Sequence, residues 1–456
     1  MKAQKNRSIH RVGTVACAAL VLGLAACAPG GGGSGATTST APSDVSTDVA
    51  AAGDVTLKLS DFWKSAEGEW IDNRIAAFED LYPNVTIKRT QEEWTQLVST
   101  LNLQLQDASG PDIASANNGW QSLGTLAEAN LVLNLDPYAE LYGWNESVPN
   151  TIARQNQFTT DFSAIGEGSW FATPVARATL TGLYYNVEKL EALGLDVPTT
   201  LPELETAAAA AAAAGEVPFS YSGLDGNTAM LFSLQAVFGT ATDINDFIYG
   251  DPEVTAAQSK LTEAAATMVT WADNGWLSPD FEGLDSQTTL ASFLDGDGVF
   301  RFDYTGTLGL TGDQLDEFGY IQLPQESGSG TVGVGAAPAA MVIASKTEHP
   351  DVAAAFLDFL MSEESAQAAI DLGMVPMLHN DLDTPSTGRS LNEEIAAAAS
   401  LNADDGYVPY FDWSSPTMLD TVSQNLQLML AGRVAPEDLT AAVDADRDAF
   451  LAQLGS

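Results

Sequence analysis

The chain has 456 residues, 45% of them hydrophobic, and its 18 basic against 61 acidic residues leave a formal net charge of −43. That length predicts two folded bodies rather than one. The charge excludes nucleic-acid binding and attraction to an anionic membrane surface, since both need clustered Lys and Arg.

The N-terminus reads as a targeting segment. Lys2, Lys5, Arg7 and Arg11 precede an apolar run over 12–26 that is too short to cross a bilayer but suits a signal peptide. The run ends in Leu24-Ala25-Ala26-Cys27, which matches the lipobox of bacterial lipoproteins, where small residues precede a cysteine that is acylated and becomes the new N-terminus. Residues 1–26 are therefore expected to be removed, and Cys27 to anchor the protein to the outer face of the cell membrane. The other cysteine, Cys17, lies in the discarded run, so no disulfide is expected. Residues 27–53 are mostly Gly, Ser, Thr, Ala and Pro, a composition that buries too little to fold and reads as a flexible linker.

Folded structure is expected from Asp54. Val55, Leu57 and Leu59 alternate with polar residues and predict a strand; Ile71, Ile75, Phe78 and Tyr82 then fall at helical spacing. Tyr82-Pro83-Asn84 stops that helix, and Val85-Thr86-Ile87 opens a second strand. Trp94, Leu97, Leu101 and Leu105 predict the next helix, and Gly110-Pro111-Asp112-Ile113 turns into another strand. Strands alternating with helices predict an open α/β sheet. The alanine run from Ala207 to Ala214 reads as an ordinary helix, because Ala has the highest helix propensity. Two extended passages, around Leu180 to Asn186 and from Thr331 to Ser345, suit a two-lobed body whose chain crosses a hinge more than once. Val352, Phe356, Phe359 and Leu360 predict a helix after Pro350, and Met418, Val422, Leu426 and Leu430 one near the C-terminus.

These segments, in this order, resemble the extracellular solute-binding protein family 1, the group that includes maltose-binding protein. The resemblance rests on Phe78-Glu79-Asp80-Leu81-Tyr82-Pro83, Gly110-Pro111-Asp112-Ile113, the passage from Thr173-Pro174 to Tyr184-Tyr185-Asn186, Phe356-Leu357-Asp358-Phe359-Leu360 and Leu430-Ala431-Gly432-Arg433. It implies an α/β, two-lobed periplasmic-binding-protein-like (type II) fold with hinge-linked lobes around a central cleft. The first lobe would take in 54–174 and 338–395, the second 175–337 and 396–456. The implied function is that of a monomeric receptor that delivers a solute, in this reading a carbohydrate, to the permease subunits of an ABC importer without any cofactor.

A sugar needs flat rings against its C–H faces, and carboxylates, amides or Arg for its hydroxyls. In α/β sheets such groups sit in loops that follow strands. Those loops offer Asp61 and Trp63 after the first strand and Asn117, Asn118 and Trp120 after the Ile113 strand, with Glu92 at a helix start. By resemblance the second lobe adds Tyr221, Arg301, Asp303, Tyr304 and Trp413, while Gly335 would admit the ligand close to the backbone. Trp63 and Trp413 are expected to flank the sugar. Trp70, Trp94, Trp144 and Trp271 are read as packing, and Trp170 and Trp276 stay open between core and cleft. Arg301 stays open between a salt bridge and a ligand contact, and Arg177 is read as a structural ion-pair partner near the hinge.

The rival readings are a secreted glycoside hydrolase and a receptor for another solute, such as a polyamine or a phosphorylated polyol. No Gly-x-Ser-x-Gly, His-Glu-x-x-His or Gly-Lys-Ser/Thr motif occurs. Of three histidines, only His349 and His379 follow Cys27, too few and too far apart for a transition-metal site.

Overall fold

The computed structural model describes residues 44–454 except 328, 329, 338, 339, 383, 385 and 386. The signal segment, Cys27 and most of the expected linker lie outside the described residues. The last part of that linker is not free. Asp48 caps a short 3-10 turn, Val49–Ala52, Val49 is buried, and Asn84 donates to the carbonyls of Val49 (3.0 Å) and Gly53 (2.7 Å). The folded body therefore starts some residues before Asp54.

The strands, in chain order, are β1 (Val55–Asp61), β2 (Val85–Gln91), β3 (Ile113–Ala116), β4 (Gln157–Phe158), β5 (Ser169–Trp170) and β6 (Thr179–Asn186). They continue with β7 (Phe300–Tyr304), β8 (Phe318–Ile321), β9 (Gly333–Ala336), β10 (Ala340–Ile343) and β11 (Tyr407–Val408). The first sheet has the order β10-β3-β1-β2, with β1 parallel to β2 and β3 and β10 antiparallel. Helix α1 (Ser65–Leu81) buries Trp70, Ile71, Ile75 and Phe78 on it, as the helical spacing predicts. The next helix, α2 (Trp94–Gln106), leads into β3, and β4 pairs with β5 in a small ribbon.

The second sheet has the order β11-β9-β6-β7. Along β6, Thr179 and Leu180 pair with β9, and Leu183 to Asn186 pair with β8. Its core gathers Phe219, Trp271, Phe300 and Phe302 with the Val422 and Leu426 face of the helix Met418–Leu430. The alanine run does form a helix, Leu201–Ala213, capped by Thr200 and burying Ala207, Ala208 and Ala211.

Three lengths of chain pass between the sheets side by side. Thr173 exchanges backbone hydrogen bonds with Met341 at the first sheet (2.9 and 3.1 Å). Ala178 donates to Val375 (2.8 Å) and Met377 to Ala176 (3.0 Å), and Thr179 pairs with Ala336 where β6 begins. Ala176, in the middle of this crossing, has a φ of 66°, a left-handed conformation that costs a non-glycine residue roughly 1–2 kcal/mol. The third passage leads the chain back to the second sheet. Arg389–Ala403 is one continuous helix tied to that sheet, its Glu394 accepting from Tyr184 (2.8 Å) and its Glu393 from the Tyr320 backbone (2.7 Å).

Two glycines set the spacing of β6 and β8. A Cβ on Gly319 would lie 2.1 Å from the Tyr185 ring, and one on Gly182 would lie 2.1 Å from the Tyr320 hydroxyl. Each tyrosine covers the glycine of the opposite strand, an exchange that pins the register. Replacing Gly319 by Ala is expected to lower unfolding free energy by about 1–3 kcal/mol through overpacking, measured by urea denaturation. An unchanged midpoint would show that Tyr185 moves aside freely.

Candidate functional site

The crossing floors a cavity of about 390 Å³ lined from both sheets. The first lobe supplies Lys64 to Glu67, at the start of α1, and the second supplies the loop from Thr305 to Thr311 with Leu315. Arg177 and Ala178 of the crossing lie between them, with Leu372 to Val375, Leu391 and Glu394. Arg177 joins the two sides. Its Nε is ion-paired with Glu67 of α1, and its Nη1 donates to the Thr305 carbonyl (2.9 Å) of the second-sheet loop. That loop is held in turn by Gly306 N donating to the Tyr184 hydroxyl (3.2 Å), which donates to Glu394 (2.8 Å). Glu394 also accepts from Ser390 (3.1 Å). Burial pushes the Glu394 carboxyl up to about 7 against the relief of those hydrogen bonds.

A second cavity, of about 520 Å³, opens on the other side of the same loop, and its lining includes Tyr304 and Thr307. The polar residues of its lining include Asp225, Asn227, Thr228, Ser286, Gln287, Ser423, Asp420, Arg301 and Asp303. Leu290 and the exposed Leu419 supply apolar surface. Arg301, 1% exposed, donates to Asp303 (2.7 Å) and Thr289 (3.0 Å). Its Nη2 has no partner among the described residues.

Three residues expected at a ligand, Arg301, Asp303 and Tyr304, line this second cavity, and the Tyr304 hydroxyl shares a hydrogen bond with Thr228 (3.1 Å). The others line neither cavity. Both carboxylate oxygens of Asp61 are taken by Arg89, at 2.7 Å each, and one also accepts from Trp63 N (2.9 Å). Trp63 is wholly buried, edge-on to Trp70 at 5.8 Å. The Glu92 carboxylate accepts from Ser60 (2.7 Å) and Gln104 (3.0 Å). Asn117 donates to Gln121 (3.1 Å) and the buried Asn118 to the Gln155 carbonyl (2.9 Å). Trp120 is buried between Phe158 and Phe450.

Trp413 is also buried, its ring edge-on to Tyr410 at 5.6 Å, and a Cβ on Gly119 would lie 2.6 Å from its own Cβ. The two tryptophans expected to flank a sugar therefore pack in the protein in this conformation. Trp170 is buried as well, and Trp276 is half-buried. Gly335 meets Leu180 and the Thr179 carbonyl at 2.5 and 2.9 Å from a Cβ, so its bareness serves strand packing. Tyr221 is buried and donates to the Asn227 carbonyl (3.1 Å), lining a separate pocket with Leu224 and Phe281. His349 and His379 are half-buried.

Sequence reasoning did not select Glu67, Tyr184, Thr305 or Glu394. Glu67 was legible only as an acid in the first turn of α1, and Glu394 carries no local mark that separates it from surface acids.

Comparison with known proteins accords with this architecture. A curated relative, the multiple sugar-binding protein of Streptococcus mutans serotype c, is 26% identical over 207 residues, which is 44% of this chain and 49% of that protein. The match thus spans about half the length of that relative. Among solved structures, a chitin oligosaccharide binding protein superposes with a TM-score of 0.70 at 18% identity, over 87% of this chain and all (100%) of the other. A family 1 extracellular solute-binding protein from Bifidobacterium longum subsp. infantis gives 0.66 at 18% identity, over 87% and 100% of the two chains. These likenesses show the two-lobed fold. With residues 73–419 matching the profile of the bacterial extracellular solute-binding proteins, the chain belongs to that family.

Proposed function

We propose that this protein is the extracytoplasmic receptor of an ABC importer and that it binds a carbohydrate between its two sheets. The observation that carries the reading is the cavity at the crossing, whose walls come from both sheets and whose Arg177 bonds to each. A solute seated there touches both lobes and favours the arrangement in which they are closest. The receptor then presents a different surface to its permease when loaded. Sugar as the solute is supported by the relatives: the multiple sugar-binding protein, the chitin oligosaccharide binding protein, and RafE, known in complex with raffinose. The cavity walls suit hydroxyl-rich ligands, with amides, hydroxyls and carboxylates interleaved with leucines. No tryptophan lines either of these cavities, and Tyr304 and the leucines are proposed as the apolar contacts there.

The lobes are assigned as 48–174 with 340–378 and 179–336 with 389–454, hinged at the three passages. Among the described residues no helix is long and apolar enough to cross a membrane. Lipidated Cys27 is proposed as the anchor, with 27–47 as the tether and the folded body as a monomer.

Titration of Glu394 sets a pH dependence of stability. Its carboxyl is raised from about 4.5 unfolded to about 7 folded, so the folded state binds the proton more tightly. The stabilisation is complete below the unfolded value and is lost as pH rises to the folded one. Burial acts in the same direction on Asp412, raised to about 6.

Two measurements follow. A thermal-shift screen of the folded body against mono- and oligosaccharides, polyamines, phosphate esters and peptides should raise Tm with one sugar class and show no turnover. A shift confined to a non-sugar solute would keep the fold and remove the carbohydrate assignment, and cleavage of the sugar would make the protein a hydrolase. Separately, Glu394→Gln keeps an oxygen for Tyr184 and Ser390 but cannot ionise. Relative to the parent it should gain on the order of 2–3 kcal/mol between pH 5 and pH 8 in denaturant titrations. A difference independent of pH would show that Glu394 is ionised in the fold.

A further inference from the structure

The charges that line the two cavities, which lie against the same 304–307 loop, are not balanced, and the imbalance names the kind of sugar. We infer that the ligand reaches from the crossing cavity into the second one and is an uncharged or amine-bearing sugar, acidic ones such as uronates and sugar phosphates being rejected; this rests on the carbohydrate reading above. Three cations line the two cavities, and each already faces a carboxylate. Lys64 is ion-paired with Glu93, Arg177 with Glu67, and Arg301 with Asp303. Three acids in the lining have no ion-pair partner among the described residues: Glu394 in the crossing cavity, and Asp225 and Asp420 in the second. Asp225 accepts from the Ser286 backbone (2.8 Å). An acidic ligand would find no unpaired cation and would add a negative charge beside three carboxylates on one wall.

Arg301 sharpens the point. Its Nη2 is a buried donor without a partner among the described residues, in a residue that lines the cavity. A buried donor left unmade is costly, so the site is improved by an oxygen acceptor. Its charge, however, is already answered by Asp303 at 2.7 Å. A hydroxyl or ring oxygen satisfies that nitrogen without bringing a charge, and a carboxylate would compete with Asp303. Around it, Thr228, Ser286 and Gln287 both donate and accept, as sugar hydroxyls require. Selectivity of this kind works by repulsion as much as by attraction.

The test is isothermal calorimetry on the folded body with matched ligands. A neutral oligosaccharide that raises Tm is compared with the same oligosaccharide oxidised at its primary alcohols to uronic acids, and with its 2-amino counterpart. The uronate form is expected to bind at least roughly tenfold more weakly at low salt, with the gap narrowing as salt is added. The double variant Asp225→Asn/Asp420→Asn, at two exposed positions, should recover most of that loss for the uronate. Equal or tighter binding of the uronate by the parent protein overturns the inference. So does a gap that neither salt nor the double variant changes, because the rejection would then be steric. If only a cationic non-sugar solute bound, the carbohydrate reading would fail and the charge selectivity would stand. Binding confined to phosphate esters would end both.

Discussion

Everything in the cleft depends on three lengths of backbone that run side by side between the two sheets. Because Thr173, Ala176 and Ala178 are hydrogen-bonded to Met341, Met377 and Val375, the crossing behaves as a narrow ribbon rather than as loose connections. A ribbon bends about its width and resists sliding, so the lobes can change their angle without losing register. The left-handed Ala176 sits at its centre, and the side chain one residue on, Arg177, reaches the first turn of α1 and the Thr305 carbonyl. Bending there changes the distance between the very groups that wall the cavity.

The electrostatics follow from a strongly acidic chain with few cations to spend. Three cations that enter the interior are each bound to a carboxylate: Arg89 to Asp61, Arg177 to Glu67, Arg301 to Asp303. Such pairs are costly to break singly, because the partner is left buried and charged. They therefore act as fixed struts. Asp61 illustrates the consequence: its bond to Arg89 ties the end of β1 to β2, and Arg89 also bonds to the Trp63 carbonyl (2.6 Å), drawing that segment inward. Glu394 has no ion-pair partner among the described residues; burial raises its carboxyl to about 7, and it accepts from two hydroxyls.

The glycines show how much of the site's shape is packing. Gly119 lets β3's loop meet Trp413 of the second lobe, and Gly335 lets β9 lie against Leu180. Both stand near the cleft, yet what approaches them is protein. The aromatic residue left half-exposed at the second cavity is Tyr304, held by Thr228 and edge-on to Tyr410.

The order of strands and helices was legible residue by residue, because alternation at Val55, Leu57 and Leu59 or helical spacing at Ile71, Ile75 and Phe78 reflects burial on one face of a local element. Two extended passages between two α/β blocks, with the quoted family segments, were likewise enough for a two-lobed body of this family. Which side chains line the cleft was not legible in the same way. Trp63 and Trp413 follow strands beside polar residues, as ligand platforms do, but Trp63 is buried where its carbonyl accepts from Arg89, and Trp413 is buried against Gly119. Glu67 and Glu394 looked like any other acids among 61. Secondary structure is written in neighbours a few residues apart, whereas the cavity is made by groups such as Glu67, Arg177, Thr305 and Glu394, which only the meeting of the two lobes brings together.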